Sequence, residues 1–341
     1  MTFLIKKEAQ KVFAVYLILI VIVVGVVSYI YSRNVNPPLN VNSSGLWENK
    51  GTTVSPFNLK GKIFLSLRPN VFGSSIGIYK FDAASRQLQN FLIGFWNNSA
   101  PHFSDNGQKI VFVSNKIDDE VPQIFIADAD GKNIKQITSS QVNKKQLPVF
   151  SPDGEIIAFT VFPLDSRTFL PEEQKVYIVD LNGNERFLTN GAYSLFSPDG
   201  KSLLVLKNDG LHLVDVLNGA SSRVIKSEST FITMKFALSR NRNMLVWTNF
   251  PNEVLVFKLN WNPFNYFLYQ KISTGAFWPV FSPDGRYLAL QEAKGGEFGT
   301  SPTPPTNGRI VVYDLETLEW EELIDLHAYK QTHMWMTDWQ P

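Results

Sequence analysis

The imidazoles of this 341-residue chain stand at 102, 212, 327 and 333, and cysteine is absent altogether. The missing cysteine removes thiolate metal sites, disulfides, a cysteine nucleophile and the lipidated residue of a lipoprotein anchor. Only His327 and His333 lie close in sequence, and their spacing suits no zinc pair. Gly73-Ser74-Ser75-Ile76-Gly77 has the letters of a hydrolase nucleophile elbow, a motif that needs a strand before it and a helix after it. Here the β-rich IGIYKFD follows, so no catalytic residue is assigned. Asp128, Asp130 and Gly131 begin like a calcium loop but lack its closing Glu, and read as a turn between strands. No metal and no cofactor is expected from these residues.

The elements around these residues come from a repeat. FSPDG occurs at 150–154, 196–200 and 281–285, with the variant FSDNG at 103–107, and the first three copies are 47 and 46 residues apart. Such a period marks a repeat architecture. Pro sets φ at the first corner of a turn, Asp takes the second, and Gly supplies the positive φ that leads into the next strand. After each turn comes a β-rich run, from Lys109, Glu155, Lys201 and Arg286; a third strand follows from Gln123, Val176, Leu211 and Ile310, and a short fourth from Lys135, Arg186, Ser222 and Glu321. Four antiparallel strands make a propeller blade.

A degenerate copy, FALSRNRNMLVW at 236–247, keeps the Phe and Ser but loses Pro-Asp-Gly, and completes five full units. Upstream, the strands from Lys62, Ile76 and Leu88 lack a first strand, while MTDWQP at 336–341 is a first strand without a blade, with Trp339 in the Phe position. The fold class predicted is therefore all-β: a six-bladed β-propeller over 61–341, closed by the C-terminal strand.

Residues 12–31 are 20 uncharged residues, which as a helix would span about 30 Å, one bilayer core. The apolar run is longer than a signal peptide's, and only Val26-Val27-Ser28 offers a poor cleavage site, so an N-terminal transmembrane helix is expected. Lys6, Lys7 and Lys11 before it and Arg33 after it put residues 1–11 in the cytoplasm and the propeller outside. The Asn-, Ser-, Pro- and Gly-rich stretch 32–60 reads as a linker, with Leu46, Trp47 and Phe57 as apolar residues that could dock on the first blade. A net charge of +1 with interspersed signs excludes a basic stripe for nucleic acid.

One face of the ring carries the short repeated turns. The other carries variable loops, the longest over 162–175 and 292–308. Variable loops on a rigid scaffold carry binding. That face receives Trp96, Tyr193, Phe231, Phe277, Trp278, Tyr329, His333 and Trp335, an aromatic rim for a peptide or glycan; the bland reading is packing between blades. His102, Lys235 and Asp338 each precede the Phe or Trp of a first strand and are expected to line or border the channel.

The FSPDG turn, the strands after it, and the D-x-x-G turn before a short strand ending in Leu-Thr or Ile-Thr resemble the repeat of TolB-type propellers, also found in the prolyl oligopeptidase and dipeptidyl peptidase IV group. The resemblance covers 61–341. It implies a propeller of the cell envelope that binds a protein partner, without carrying the particular partner across. The peptidase relatives hold their triad on an appended α/β-hydrolase domain that this chain does not show. The expectation is a membrane-anchored, extracytoplasmic binding or scaffolding module for a protein or glycan. The alternative is a propeller hydrolase or lyase with its site at the channel mouth.

Overall fold

Strand one of the second, third, fourth and sixth blades ends where the repeat Phe turns into Ser-x-x-Gly, and that junction organises the architecture. The computed structural model describes residues 57–68, 75–94, 96–116, 121–140, 143–163, 173–226, 236–249, 253–274, 276–293, 308–325 and 334–341. The expected span 12–31 and most of the linker lie outside them; among the described residues no helix is long and apolar enough to cross a membrane.

The first blade holds β1 (Lys62–Leu67), β2 (Gly77–Asp82) and β3 (Gln87–Leu92). The second holds β4 (Asn98–Phe103), β5 (Lys109–Ser114), β6 (Gln123–Asp128) and β7 (Lys135–Gln136), and the third β8 (Lys144–Phe150), β9 (Ile156–Phe162), β10 (Lys175–Asp180) and β11 (Glu185–Asn190). The fourth comprises β12 (Ala192–Phe196), β13 (Ser202–Lys207), β14 (Gly210–Asp215) and β15 (Ser221–Lys226), and the fifth β16 (Phe236–Leu238), β17 (Met244–Asn249), β18 (Glu253–Trp261) and β19 (Phe264–Ile272). In the sixth are β20 (Ala276–Phe281), β21 (Tyr287–Ala293), β22 (Gly308–Asp314) and β23 (Trp320–Asp325), and the chain ends in β24 (Met334–Gln340). Each sheet has four antiparallel strands, and the order β24-β1-β2-β3 completes the first blade from both ends of the ring.

Closure follows the expected register, with Ile63 opposite Trp339 and Leu67 opposite Met334. The Trp339 indole N–H donates to the Lys60 carbonyl at 2.8 Å. Gly61, at φ +85°, passes so close that a Cβ there would lie 2.2 Å from the Gln340 carbonyl oxygen, which leaves no room for any other residue. Phe57 does dock, but on Tyr287 of the sixth blade, with ring centroids 5.3 Å apart.

The turns are built as their residues dictate. In each exact copy the Ser hydroxyl donates to the Asp carboxylate: Ser151 to Asp153 at 2.5 Å, Ser197 to Asp199 at 2.7 Å and Ser282 to Asp284 at 2.6 Å. The glycines sit at φ between +70° and +76°, the left-handed region that costs a Cβ-bearing residue about 1–2 kcal/mol. The repeat Phe is core, as expected. Phe150 packs with Val111 and Ile124 of the preceding blade and Ile157 of its own; Phe196 and Phe281 repeat the arrangement one blade and three blades on. The FSDNG Phe103 does the same; in the degenerate fifth copy the residue before the turn's Ser is Leu238, opposite Leu245, and Phe236 is buried two residues earlier, opposite Trp247, so the copy does not keep the Phe in register.

Candidate functional site

A blade's first strand has a second strand on one side only, so its other edge of N–H and C=O groups faces the axis of the ring. Among the described residues, four of these strands bend there into the left-handed region. Ala100, Leu147, Tyr193 and Trp278, each three residues before the repeat Phe, have φ of +46° to +54°, at points where the strand register shifts by a bulge. Pro101, Pro148 and Pro279 follow three of them, where a missing N–H costs no ladder bond. A bulky side chain in the left-handed region is strained, and Tyr193 and Trp278 hold this conformation inside the ring's central cavity.

That cavity has a volume of about 180 Å³ and is lined by residues of all six first strands. Of the predicted site residues, His102, Tyr193, Trp278 and Asp338 line it together. The Tyr193 and Trp278 ring centroids are 6.4 Å apart and tilted by 53°. Trp96 sits apart, exposed between β3 and β4. Lys235 and His333 lie outside the described residues, as do Phe231 and Tyr329; Trp335 is placed only as a backbone position of β24, opposite Ser66. Phe277 is buried core.

His102 and Asp338 share one task. The Phe103 N–H on the axial edge of the second blade donates to Asp338 Oδ2 of the first, at 2.9 Å, and the Phe150 N–H on the third blade points at His102 Nδ1 of the second, at 3.5 Å. The residue before the repeat aromatic thus reaches to the next blade's unpaired amide and satisfies it. Gln340 holds the other Asp338 oxygen at 2.9 Å. Accepting at Nδ1 leaves the His102 proton on Nε2. Burial, above all, pushes this imidazole below its ordinary value, against Asp338 and Asp105, which raise it, and with Arg242, which lowers it.

Where the turns face the axis, three departures from FSPDG meet. Asp105 occupies the Pro position of the second blade's turn; Arg240 and Arg242 occupy the Pro and Gly positions of the fifth blade's; Gln340 follows Trp339 where Ser follows Phe. Arg242 donates to both Asp105 oxygens, at 2.6 and 2.8 Å, from the opposite side of the ring. Arg240 donates to the Asp105 carbonyl at 2.8 Å and to Gln340 Oε1 at 3.0 Å. Arg242 takes the turn's left-handed position at φ +54°, with its carbonyl held by the Trp261 indole at 2.6 Å. The degenerate turn is a charged strut across the axis. The lost Pro-Asp-Gly is plain in the sequence; the signal of the strut is that two opposite turns carry complementary charges, Asp105 and the pair Arg240 and Arg242.

Other polar clusters are structural. Asp128 and Asp130 bind Lys109 and Lys132, and Gly131 N–H closes the turn on the Asp128 carbonyl at 2.8 Å, so the calcium-like letters make a hairpin. Gly77 opens β2, a strand and not the helix of a nucleophile elbow. Ser221, His212 and Asp209 are hydrogen-bonded in series, at 3.1 and 2.7 Å, but on the outer strands of the fourth blade, where Asp209 also binds Arg223. Among the described residues no group of three or more His, Asp or Glu is arranged to hold a metal ion.

Six four-stranded blades around one channel, closed by a terminal strand and turned by Ser-Pro-Asp-Gly, define a six-bladed propeller with this repeat. Residues 73–259, more than half of the chain, match PD40, the TolB beta propeller domain. The chain belongs to this TolB beta-propeller family. Its structure is similar to TolB from Acinetobacter baumannii (TM-score 0.61, 19% identity, covering 82% of this chain and 67% of that one). It is also similar to putative TolB from Agrobacterium tumefaciens (0.52, 13%, covering 83% and 100%) and to an oligogalacturonate lyase in complex with manganese (0.52, 8%, covering 76% and 78%). At these identities the likeness shows the fold alone. No curated protein matches the sequence.

Proposed function

We propose that the protein is a membrane-anchored propeller displayed outside the cytoplasmic membrane, acting as a binding or scaffolding module of the cell envelope for a protein or glycan. One observation carries the binding role: strained Tyr193 and Trp278 stand in the wall of the axial cavity. The charged groups beside them are committed to the fold, Asp105 to Arg242 and Asp338 to the Phe103 amide. The anchor rests on the 20 uncharged residues at 12–31 and the lysines before them.

Protease added to cells stripped of any outer barrier is expected to digest the propeller and spare the segment 6–11; a soluble mature chain starting near Tyr29 would overturn the anchor. Affinity capture from detergent-solubilised membranes is expected to recover a partner with the wild type and lose it with Trp278→Ala. Recovery of the same partner by both would remove the channel mouth as the binding surface. The enzyme reading has one observation in its favour, a neutral imidazole at His102 in the cavity wall. Turnover of any substrate that His102→Gln abolishes, with the fold intact, would replace the binding role.

A further inference from the structure

Every hairpin turn on the turn face falls among the described residues, and one of them departs from the rest. In five blades strand three ends on an Asp, at Asp82, Asp128, Asp180, Asp215 and Asp314, paired with the first residue of strand two. In the fifth blade Lys258 stands at that rung, opposite Met244, and the strand does not turn. The ladder of β18 and β19 runs on for Leu259 with Tyr266, Asn260 with Asn265 and Trp261 with Phe264, an overhang of about 10 Å of strand.

The overhang is aromatic. β19 is the outer strand of its sheet, and it leaves Phe267 59% and Leu268 52% exposed, with Tyr266 exposed beside them. Trp261 and Phe264 meet edge to face at the tip, ring centroids 5.5 Å apart. From 254 to 270 the single charge is that of Lys258, and the adjoining turn, Ser-Arg-Asn-Arg-Asn at 239–243, carries two arginines and no acid. A long apolar outer edge of this kind marks a contact surface.

Its place in the ring names the occupant. The chain comes onto the propeller at this same face: Gly61 passes the Gln340 carbonyl at the closing turn, and Phe57 packs on Tyr287 of the sixth blade, next to the fifth. Residues 32–56 lead from there back to the uncharged segment 12–31 of the proposed anchor. A ring tethered by its turn face presents that face to the bilayer, where aromatic rings with a lysine among them suit the headgroup level. Depth is limited. The outer edge of β19 carries backbone N–H and C=O groups that hydrocarbon would leave unsatisfied and that headgroup water does not.

We infer that the β18–β19 hairpin of the fifth blade dips into the headgroup layer of the membrane and sets the turn face against it. This rests on the anchor reading. The chain lacks cysteine, so single-cysteine variants place one nitroxide each in the full chain, reconstituted in vesicles of phosphatidylethanolamine and phosphatidylglycerol. Labels at Phe267→Cys and Asn265→Cys are expected to favour oxygen over a water-soluble nickel chelate about threefold or more, relative to a label at Asn208→Cys in the hairpin between β13 and β14 on the opposite face. Asn265 is exposed, which keeps the test valid should Phe267→Cys fail to fold. Labels at 265 and 267 as open to nickel as the one at 208 would overturn the inference, as would spin–spin broadening between them, which would give the edge to a second copy. An alkaline wash of the same vesicles separates this failure from that of the anchor. Retained chain with water-exposed labels removes the hairpin contact alone, and released chain removes the anchor and the contact with it.

Discussion

Two sets of turns face the same end of the ring and behave differently. The exact FSPDG copies of the third, fourth and sixth blades are closed on themselves: Ser151, Ser197 and Ser282 bind their own Asp, and each Gly N–H returns to the Ser carbonyl at 2.9 to 3.0 Å. The departing turns of the second and fifth blades close in the same way, Ser104 donating to Asn106 and Ser239 to Asn241, but together with the closing strand they also reach across the axis and bind each other. Where the repeat is kept, a blade needs only its neighbours. Where it is broken, residues on opposite sides of the axis are joined, and Arg242 bears left-handed strain at a position built for glycine.

The comparison can be broken most severely at the closing turn. Deleting Met336–Pro341 removes most of β24, leaves the axial edge of β1 unpaired, and deprives Arg240 of Gln340 and the Phe103 amide of Asp338. The chain is expected to aggregate or lose cooperative unfolding, far beyond the effect of trimming a frayed end. A truncated monomer with an unchanged midpoint would disprove closure. Next come the rings that serve both sets of turns alike. Phe150→Ala, Phe196→Ala or Phe281→Ala is expected to cost roughly 3–5 kcal/mol in denaturant unfolding, whichever blade is chosen. Losses under about 1 kcal/mol would mean the ring is not core.

The repeat count, the strand order and the closing register were legible because the FSPDG letters fix a turn locally and the Phe fixes which face is buried. The axial edge was less so. His102 and Asp338 line the axial cavity, but nothing in a one-dimensional pattern marks them as acceptors for the Phe150 and Phe103 amides of the next blade. Trp96 was grouped with Tyr193 and Trp278 because all lie before a first strand. Only the bulge three residues before the Phe turns the latter two into the cavity wall, and Trp96 lies seven before Phe103. The strut is hidden for a related reason: a lost Pro-Asp-Gly reads as decay unless opposite blades are compared for charge.

Smaller effects sharpen the comparison. Asp105→Asn is expected to cost about 1–2 kcal/mol, since it leaves Arg242 facing a neutral group in a partly buried setting. Asp153→Asn, in a self-closed turn, is expected to cost about half as much, since it removes a local bond only. If the two cost the same, the cross-axis contact adds nothing. Acid supplies a further test. His102 is held below its unfolded value of about 6.5, so as pH falls through that value the unfolded chain takes up a proton that the fold refuses. Its share of stability is therefore present at neutral pH and declines below about 6.5 until the folded value is reached. His102→Gln is expected to flatten that part of the profile, and an unchanged slope would mean the imidazole is not held neutral.

The broken turns form one structure across the axis, and a double-mutant cycle on Asp105→Asn and Arg242→Gly measures the coupling that this requires. The glycine restores the repeat and relieves the left-handed strain, so the single change is expected to be mild, while the coupling energy between the two positions is expected to be roughly 1–2 kcal/mol. Additivity to within about 0.5 kcal/mol would contradict the claim and return the fifth blade's turn to an ordinary degenerate copy.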